Sequence, residues 1–208
     1  MLYLKGVGYH PAATATPILK DINLQLAPRE MGLIVGPSGS GKSTLLEILA
    51  GLAEPTAGTI LWREQELTAD HLQQLGGLVF QFPERHFCGN TVLEELRLGH
   101  PEINRVQLEQ ALQEVGLAEL PWETAPQALS GGQQRRLALA VQLVRQPNVL
   151  LLDEPTAGLD WSMRRQLVNL LEKLKAHWTL LVVTHDPEEL RPLAERRWQI
   201  RGGELTPL

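Results

Sequence analysis

"GPSGSGKST", residues 36–44, decides the fold. It fits the pattern G-x-x-x-x-G-K-[S/T], follows the apolar run "MGLIVG" at 31–36, and opens "KSTLLEILAGL" at 42–52, which reads as a helix. A glycine-rich turn between a buried strand and a helix start gathers free N–H groups and the positive helix end on one spot. Such a spot binds an anion. Gly36, Gly39 and Gly41 let the backbone wrap a phosphate without Cβ clashes, and Pro37, Ser38 and Ser40 complete the loop. Lys42 can reach the terminal phosphates of a nucleotide, and the Ser43 hydroxyl can ligate Mg²⁺, with Thr44 beside it. The bland alternative is an ordinary glycine turn, and the strand and helix flanks argue against it.

A second apolar run, "LLLDEP" at 150–155, delivers Asp153 and Glu154 side by side. Neighbouring strand residues point in different directions, so the two acids take different tasks. Asp153 can hold Mg²⁺ through water, and Glu154 can orient or deprotonate an attacking water. Three single residues gain meaning beside a phosphate loop. Gln81 ends "LVFQ" and is suited to contact both Mg²⁺ and that water; His185 ends "LLVVTH" and can hydrogen-bond a terminal phosphate. Tyr9 can stack on a base through its ring. Taken singly, each reads more simply as a surface glutamine, a satisfied loop histidine and a sheet aromatic.

Outward from these motifs, the composition is that of a folded chain. Of 208 residues 43% are hydrophobic, enough for a sizeable core, which excludes wholesale disorder. The formal net charge of -5 lacks the broad basic footprint of a nucleic-acid binder, so no nucleic acid is expected as a partner. The lone cysteine, Cys88, cannot form an intrachain disulfide and suits a reducing compartment. No run of 18 apolar residues and no signal-peptide pattern occurs, so any membrane span must come from another chain.

"MLYLKGVGYH" and "ILKDINLQLA" alternate as strands of a half-exposed sheet, whereas "GGLVFQ", "NVLLLDE" and "WTLLVVTHD" read as buried parallel strands. Between about Pro83 and Gln127 no buried strand is visible. "TVLEELRLG" and the helical spacing of Leu108, Leu112 and Val115, stopped by Gly116, mark an inserted helical lobe. The division is thus a core over 1–82 and 128–208 with a lobe over about 83–127, in one domain of 208 residues. A second glycine loop, "LSGGQQRR" at 129–136, opens a helix expected to continue to about 146. Leu167, Leu170, Leu171 and Leu174 define one more amphipathic helix, and "RRWQIRGGELTPL" a final hairpin turning at Gly202 and Gly203.

With these stretches in this order, the whole chain resembles the nucleotide-binding subunits of ATP-binding-cassette (ABC) transporters. "GPSGSGKST" corresponds to their Walker A loop, Gln81 to the glutamine loop, "LSGGQQRR" to the signature, "LLLDEP" to Walker B, "AGLD" to the D-loop and His185 to the switch histidine. Tyr9 falls where the family places its adenine-stacking aromatic. The resemblance implies an α/β fold, a P-loop NTPase with a central mostly parallel sheet, an N-terminal antiparallel β subdomain and an inserted helical lobe. It implies an ATPase whose two copies, identical or paralogous, pack head to tail, each ATP lying between one Walker A loop and the partner's signature. Ser130, Gly131, Gly132 and Gln133 would then bind the γ-phosphate held by the other subunit, and Asp160 would sit at the interface. Separate transmembrane subunits would make the chain peripheral on the cytoplasmic, or equivalent organellar, face of a membrane.

"VFQFPERHFCGNTVLEELRLG" is similar to the glutamine-loop region of energy-coupling-factor and cobalt/nickel-type importers. Residues that help such relatives dimerise usually follow the final hairpin, whereas this sequence stops at Leu208; its dimer is expected to depend on ATP or a partner. Trp161 stands after the D-loop where proline is common, and Glu30 is kept while the neighbouring glycine is shifted. A non-transport ABC ATPase, acting for example in cofactor assembly, is the alternative, although the long coiled coils and tandem cassettes of repair and translation members are absent. A P-loop kinase would leave "LSGGQQRR" unexplained.

Overall fold

The computed structural model describes all 208 residues, arranged around two sheets. In chain order, β1 (Leu2–Tyr9) and β2 (Leu19–Leu26) precede β3 (Met31–Val35) and α1 (Lys42–Leu49). They are followed by β4 (Ala57–Trp62), β5 (Gln65–Glu66), α2 (Ala69–Leu75) and β6 (Gly76–Val79). Then come α3 (Val92–Arg97), α4 (Arg105–Glu114), α5 (Gly131–Leu143) and β7 (Val149–Asp153). The chain finishes with α6 (Trp161–Lys175), β8 (Thr179–Thr184), β9 (Arg196–Arg201) and β10 (Glu204–Pro207).

The first sheet is antiparallel, in the order β2-β1-β4-β5. Its strands alternate buried and exposed residues, as Leu19, Ile22, Leu24 and Leu26 do in β2, because only one face meets the core. The second sheet has the order β10-β9-β3-β8-β7-β6 and is parallel except for β10. Its central strands β3, β7 and β8 are buried at every residue, since both faces are covered. Alternate residues serve opposite cores. Leu33, Leu150, Leu152 and Val182 join one apolar cluster with Val92, Leu108 and Leu112 of the helical region. Ile34, Leu151, Leu181 and Val183 join the other, with Leu45 and Ile48 of α1 and Leu4 and Ile22 of the antiparallel sheet.

Between β6 and β7 the chain contains only helices, including short 3-10 turns at Pro83–Arg85 and Pro126–Ala128. Their apolar faces are continuous with the core beneath the parallel sheet, so the lobe has no separate hydrophobic centre. α4 starts at a capping box of Asn104 and Gln107, and Gly116 at φ 71 follows its end. α5 closes at Leu143, slightly before the expected residue 146. Val144 is still αR, and Gln146 at φ 52 turns the chain toward β7. No helix is long and apolar enough to cross a membrane.

Residues 57–75 form β4, β5 and α2, which no periodicity in the sequence marks. The β4–β5 hairpin turns through Arg63 at φ 50 and Glu64 at φ 71, so two non-glycine residues adopt the left-handed geometry normally signalled by Asn-Gly.

Candidate nucleotide site

Four parallel strands end at one edge of the second sheet. Register pairs Val35 with Thr184, Val79 with Leu152 and Asp153 with Val183, so the residues that follow each strand emerge side by side. Gly36 follows β3, Gln81 follows β6, Glu154 follows β7 and His185 follows β8. Gln81, Glu154, His185 and the loop that begins at Gly36 meet in a cleft of about 580 Å³ lined by Pro37, Ser38, Gly39, Gly41, Lys42, Ser43, Thr44, Gln81, Glu154 and His185, with Ile18 as the hydrophobic contributor. That volume suits a nucleotide-sized ligand.

The loop is glycine-rich where space demands it. A Cβ at Gly36 would stand 2.5 Å from the Ile200 carbonyl, and one at Gly41, at φ 102, would stand 2.7 Å from Leu19. Gly39, at φ 76, has nothing within 4 Å of its Cβ position and faces the open cleft. Its conformation is one that L residues rarely adopt, and the free space on that side is where a phosphate would approach. Ser40 is tucked behind the loop, its buried hydroxyl without a partner.

Lys42, 6% exposed, donates to the carbonyls of Gly36 at 2.8 Å and Pro37 at 3.0 Å and stands 3.4 Å from Glu154 Oε1. Glu154 is equally enclosed. Its Oε2 accepts from the Thr184 hydroxyl at 2.8 Å and from the His185 backbone N–H at 3.1 Å, and lies 2.9 Å from His185 Nδ1. The backbone at Glu154 is left-handed, φ 45, immediately after the strand. A non-glycine residue held there is strained, and such strain collects at functional positions. His185 keeps 58% of its side chain exposed, so it reaches the cleft mouth while its base is anchored.

Asp153 is 8% exposed, and its Oδ1 has no partner. Burial pushes its carboxyl pKa up, and the neighbouring Glu154 adds to this, while a hydrogen bond with Ser43 and the charge of Lys42 oppose it. The two acids therefore do divide their environments: Glu154 is tied by three partners, whereas Asp153 lies behind Ser43 with acceptor capacity left over.

Not every candidate joins this cleft. Tyr9 is outside its lining; the ring packs partly buried against the antiparallel sheet's core, and its carbonyl accepts from Ile18 N–H at 2.8 Å. Ile18, unremarked in the sequence, lines the cleft instead. Ser130, Gly131, Gly132, Gln133 and Asp160 form a second group, also outside the cleft lining. Ser130 caps α5 in a reciprocal box: its Oγ accepts from Gln133 N–H at 3.3 Å, and Gln133 Oε1 accepts from Ser130 N–H at 3.0 Å. Asp160 caps α6, accepting from Met163 N–H at 2.9 Å. The two caps are neighbours, for a Cβ on Gly132 would lie 3.3 Å from the Met163 sulfur. Trp161, beside Asp160, is 68% exposed.

Thr184 and Arg135 are the partners that sequence reasoning did not single out. Thr184 is fully buried and bonds both Glu154 and the turn at Asp186. Its hydroxyl was visible within "LLVVTH", but only the register of β7 against β8 reveals whom it serves.

A family model described as ABC transporter matches residues 19–157. The chloroplastic ABC transporter I family member 11 of Arabidopsis thaliana is 44% identical, over 96% of this chain and 78% of its own length. The energy-coupling factor transporter ATP-binding protein EcfA2 of Symbiobacterium thermophilum is 37% identical, over 96% of this chain and 74% of its own. CbiO1 from Clostridium perfringens, part of the ABC transporter complex CbiONQ, superposes with a TM-score of 0.89 at 28% identity, covering 99% of this chain and 86% of that one. The ATP-binding cassette MJ0796, a dimer in a post-hydrolysis state bound to ADP and Pi, gives a TM-score of 0.83 at 32% identity, covering 99% and 97%.

Proposed function

The chain belongs to the ABC transporter family as an ATPase subunit, and on that premise we propose how its residues divide the work. The carrying observation is the convergence of Lys42, Gln81, Glu154 and His185 from four strand ends on one cleft. The loop N–H groups and Lys42 hold the phosphates of ATP, and the start of α1 adds positive potential. Glu154 takes the proton of the attacking water, Gln81 orients that water, and His185 bonds the terminal phosphate. Tyr9, outside the cleft lining but bonded through its carbonyl to the cleft residue Ile18, would stack on the adenine where it projects beyond the cleft.

The donor set suits Mg²⁺. Asp153 offers a buried, unpartnered oxygen beside Ser43, and no cluster of three acids, histidines or cysteines competes for a tighter cation. Mg²⁺ keeps most of its waters and takes few protein ligands, so Ser43, Gln81 and Asp153 would suffice to hold it. When bound it neutralises charge on the terminal phosphates.

Ser130, Gly131, Gly132 and Gln133 serve the nucleotide of a second cassette packed head to tail. Their support is position: an exposed helix start with a free face at Gly131 lies beside Asp160 and away from the chain's own cleft. The ATP-closed pair acts on separate membrane subunits of an energy-coupling-factor-type transporter from the cytoplasmic, or equivalent organellar, side. Glu154→Gln tests the arrangement. At saturating Mg-ATP it is expected to elute as a dimer from a sizing column; a monomer there would overturn the sandwich.

A further inference from the structure

Arg135 lies in the second turn of α5, five residues past the Ser130 cap, and is 5% exposed. Its Nη1 donates to the Gln81 carbonyl, its Nη2 donates to the Ala157 carbonyl at 3.0 Å, and its Nε has no partner. No carboxylate lies within salt-bridge distance of it; burial disfavours its charge, and the Glu84 carboxylate offsets this only in part. A buried guanidinium with no directly paired carboxylate is a poor source of stability, and an apolar side chain of similar volume would pack at lower cost. The arrangement is better explained by its geometry. The planar fork reaches carbonyls of two different loops from two separate nitrogens held in one rigid plane, whereas a lysine would have to serve both from a single nitrogen and an apolar residue could serve neither.

The two carbonyls belong to different loops of the cleft. Ala157 N–H donates to the Glu154 carbonyl at 3.0 Å, so Ala157 closes the turn that carries Glu154. Gln81 stands on the loop leaving β6 and lines the same cleft as Glu154. Few other bonds hold the Gln81 backbone, which follows the strand end and precedes the 3-10 turn at Pro83.

We infer that Arg135 is a positioning residue: from α5 it clamps the backbone of Gln81 to the turn that carries Glu154, and so aims the Gln81 side chain at the reacting water. Its contribution to hydrolysis runs through Gln81. Because Arg135 and the Ser130 cap share one helix, the clamp also ties the hydrolytic groups of this chain to the surface it offers a second one. The inference rests on the proposed roles of Gln81 and Glu154.

The test compares four full-length proteins: wild type, Arg135→Lys, Gln81→Ala and the double variant. ATP turnover is followed against ATP and Mg²⁺ concentration, together with ATP affinity in the absence of turnover and thermal unfolding. Arg135→Lys is expected to keep its ATP affinity within about twofold while kcat falls by on the order of 10- to 100-fold, the size of a small misplacement of a reacting group. In the Gln81→Ala background the same substitution should cost almost nothing further, the signature of two residues acting as one unit. Losses that multiply independently would overturn the clamp, as would a fall in kcat that only tracks lost ATP affinity and lost folded protein. Should Arg135→Lys fail to fold, Arg135→Gln, which removes the buried charge, is read by the same criteria. Lys42→Ala separates the two failures: unimpaired ATP binding in that variant would sink the cleft assignment itself, whereas with binding lost there the double variant decides the role of Arg135.

Discussion

The two glycine loops of this chain are close in composition and opposite in setting. The loop at 36–44 is folded back on its own molecule: Lys42 is nearly enclosed, bonded to Gly36 and Pro37, and faces Glu154 just past the end of β7, two strands from β3. The loop at 129–133 exposes Ser130 and Gly131, and its polar groups satisfy one another through the capping box with Gln133. The first is a complete receptacle whose walls come from four strands. The second is a helix end that contributes donors without walls. A glycine-serine motif therefore specifies a helix start with free donors, and the surrounding burial decides whether the chain walls that start in or leaves it open at its surface.

That contrast can be broken most sharply at Glu154. Glu154→Gln is expected to slow ATP hydrolysis by about 10²–10⁴-fold while leaving nucleotide binding intact, since the proposed general base is lost and the phosphate donors remain. A fluorescent ATP analogue and a phosphate-release assay measure the two halves. Lys42→Ala removes the charge at the centre of the enclosed loop. With hydrogen bonds to charged groups worth about 1.5–3 kcal/mol each, ATP affinity should fall by roughly 10²-fold, read by equilibrium binding. Ser130→Arg probes the open loop: affinity of the monomer for ATP should stay within about twofold, while turnover falls by about 10² as one set of preorganised donors is lost. Equal affinity and wild-type turnover would remove the contrast altogether.

The smallest effect concerns stability. Burial raises the pKa of Asp153, so its ionised form is penalised in the folded chain. Stability from this group is full below the unfolded carboxylate value near 3.9 and is lost as pH rises through the folded value. Asp153→Asn should therefore melt above wild type at pH 8 in EDTA without nucleotide, and the gap should close toward pH 4. For a chain of this length each kcal/mol corresponds to about 2–4 °C, which calorimetry resolves.

Much of this was legible because the parallel strands are unbroken apolar runs, each ending at a residue with chemistry. "MGLIVG", "NVLLLDE" and "WTLLVVTHD" announce both the element and the place of its reactive end. The β4–β5 hairpin was not legible, for β4 has one buried residue and its turn carries Arg63 and Glu64 where glycine or asparagine would have signalled it. Periodicity has nothing to detect in such a strand. The contribution of Ile18 and the clamp of Arg135 were hidden for a different reason. Ile18 belongs to the end of a long loop, and Arg135 reaches residues 54 and 22 positions away, so only the assembled fold shows what either touches. The order of motifs along the chain supplied the idea of a partner surface at Ser130, while the self-satisfied cap with Gln133 came from the structure.

The contact between Lys42 and Glu154 carries a consequence for timing. A polyphosphate entering the cleft would compete with Glu154 Oε1 for the Lys42 ammonium, so occupancy would rearrange this contact first. The other carboxylate oxygen keeps its bonds to the Thr184 hydroxyl and the His185 N–H, so Glu154 would stay in place while Oε1 is released toward the cleft. On the proposed roles, one pair of opposite charges would thus set the order of events, occupancy first and hydrolysis second.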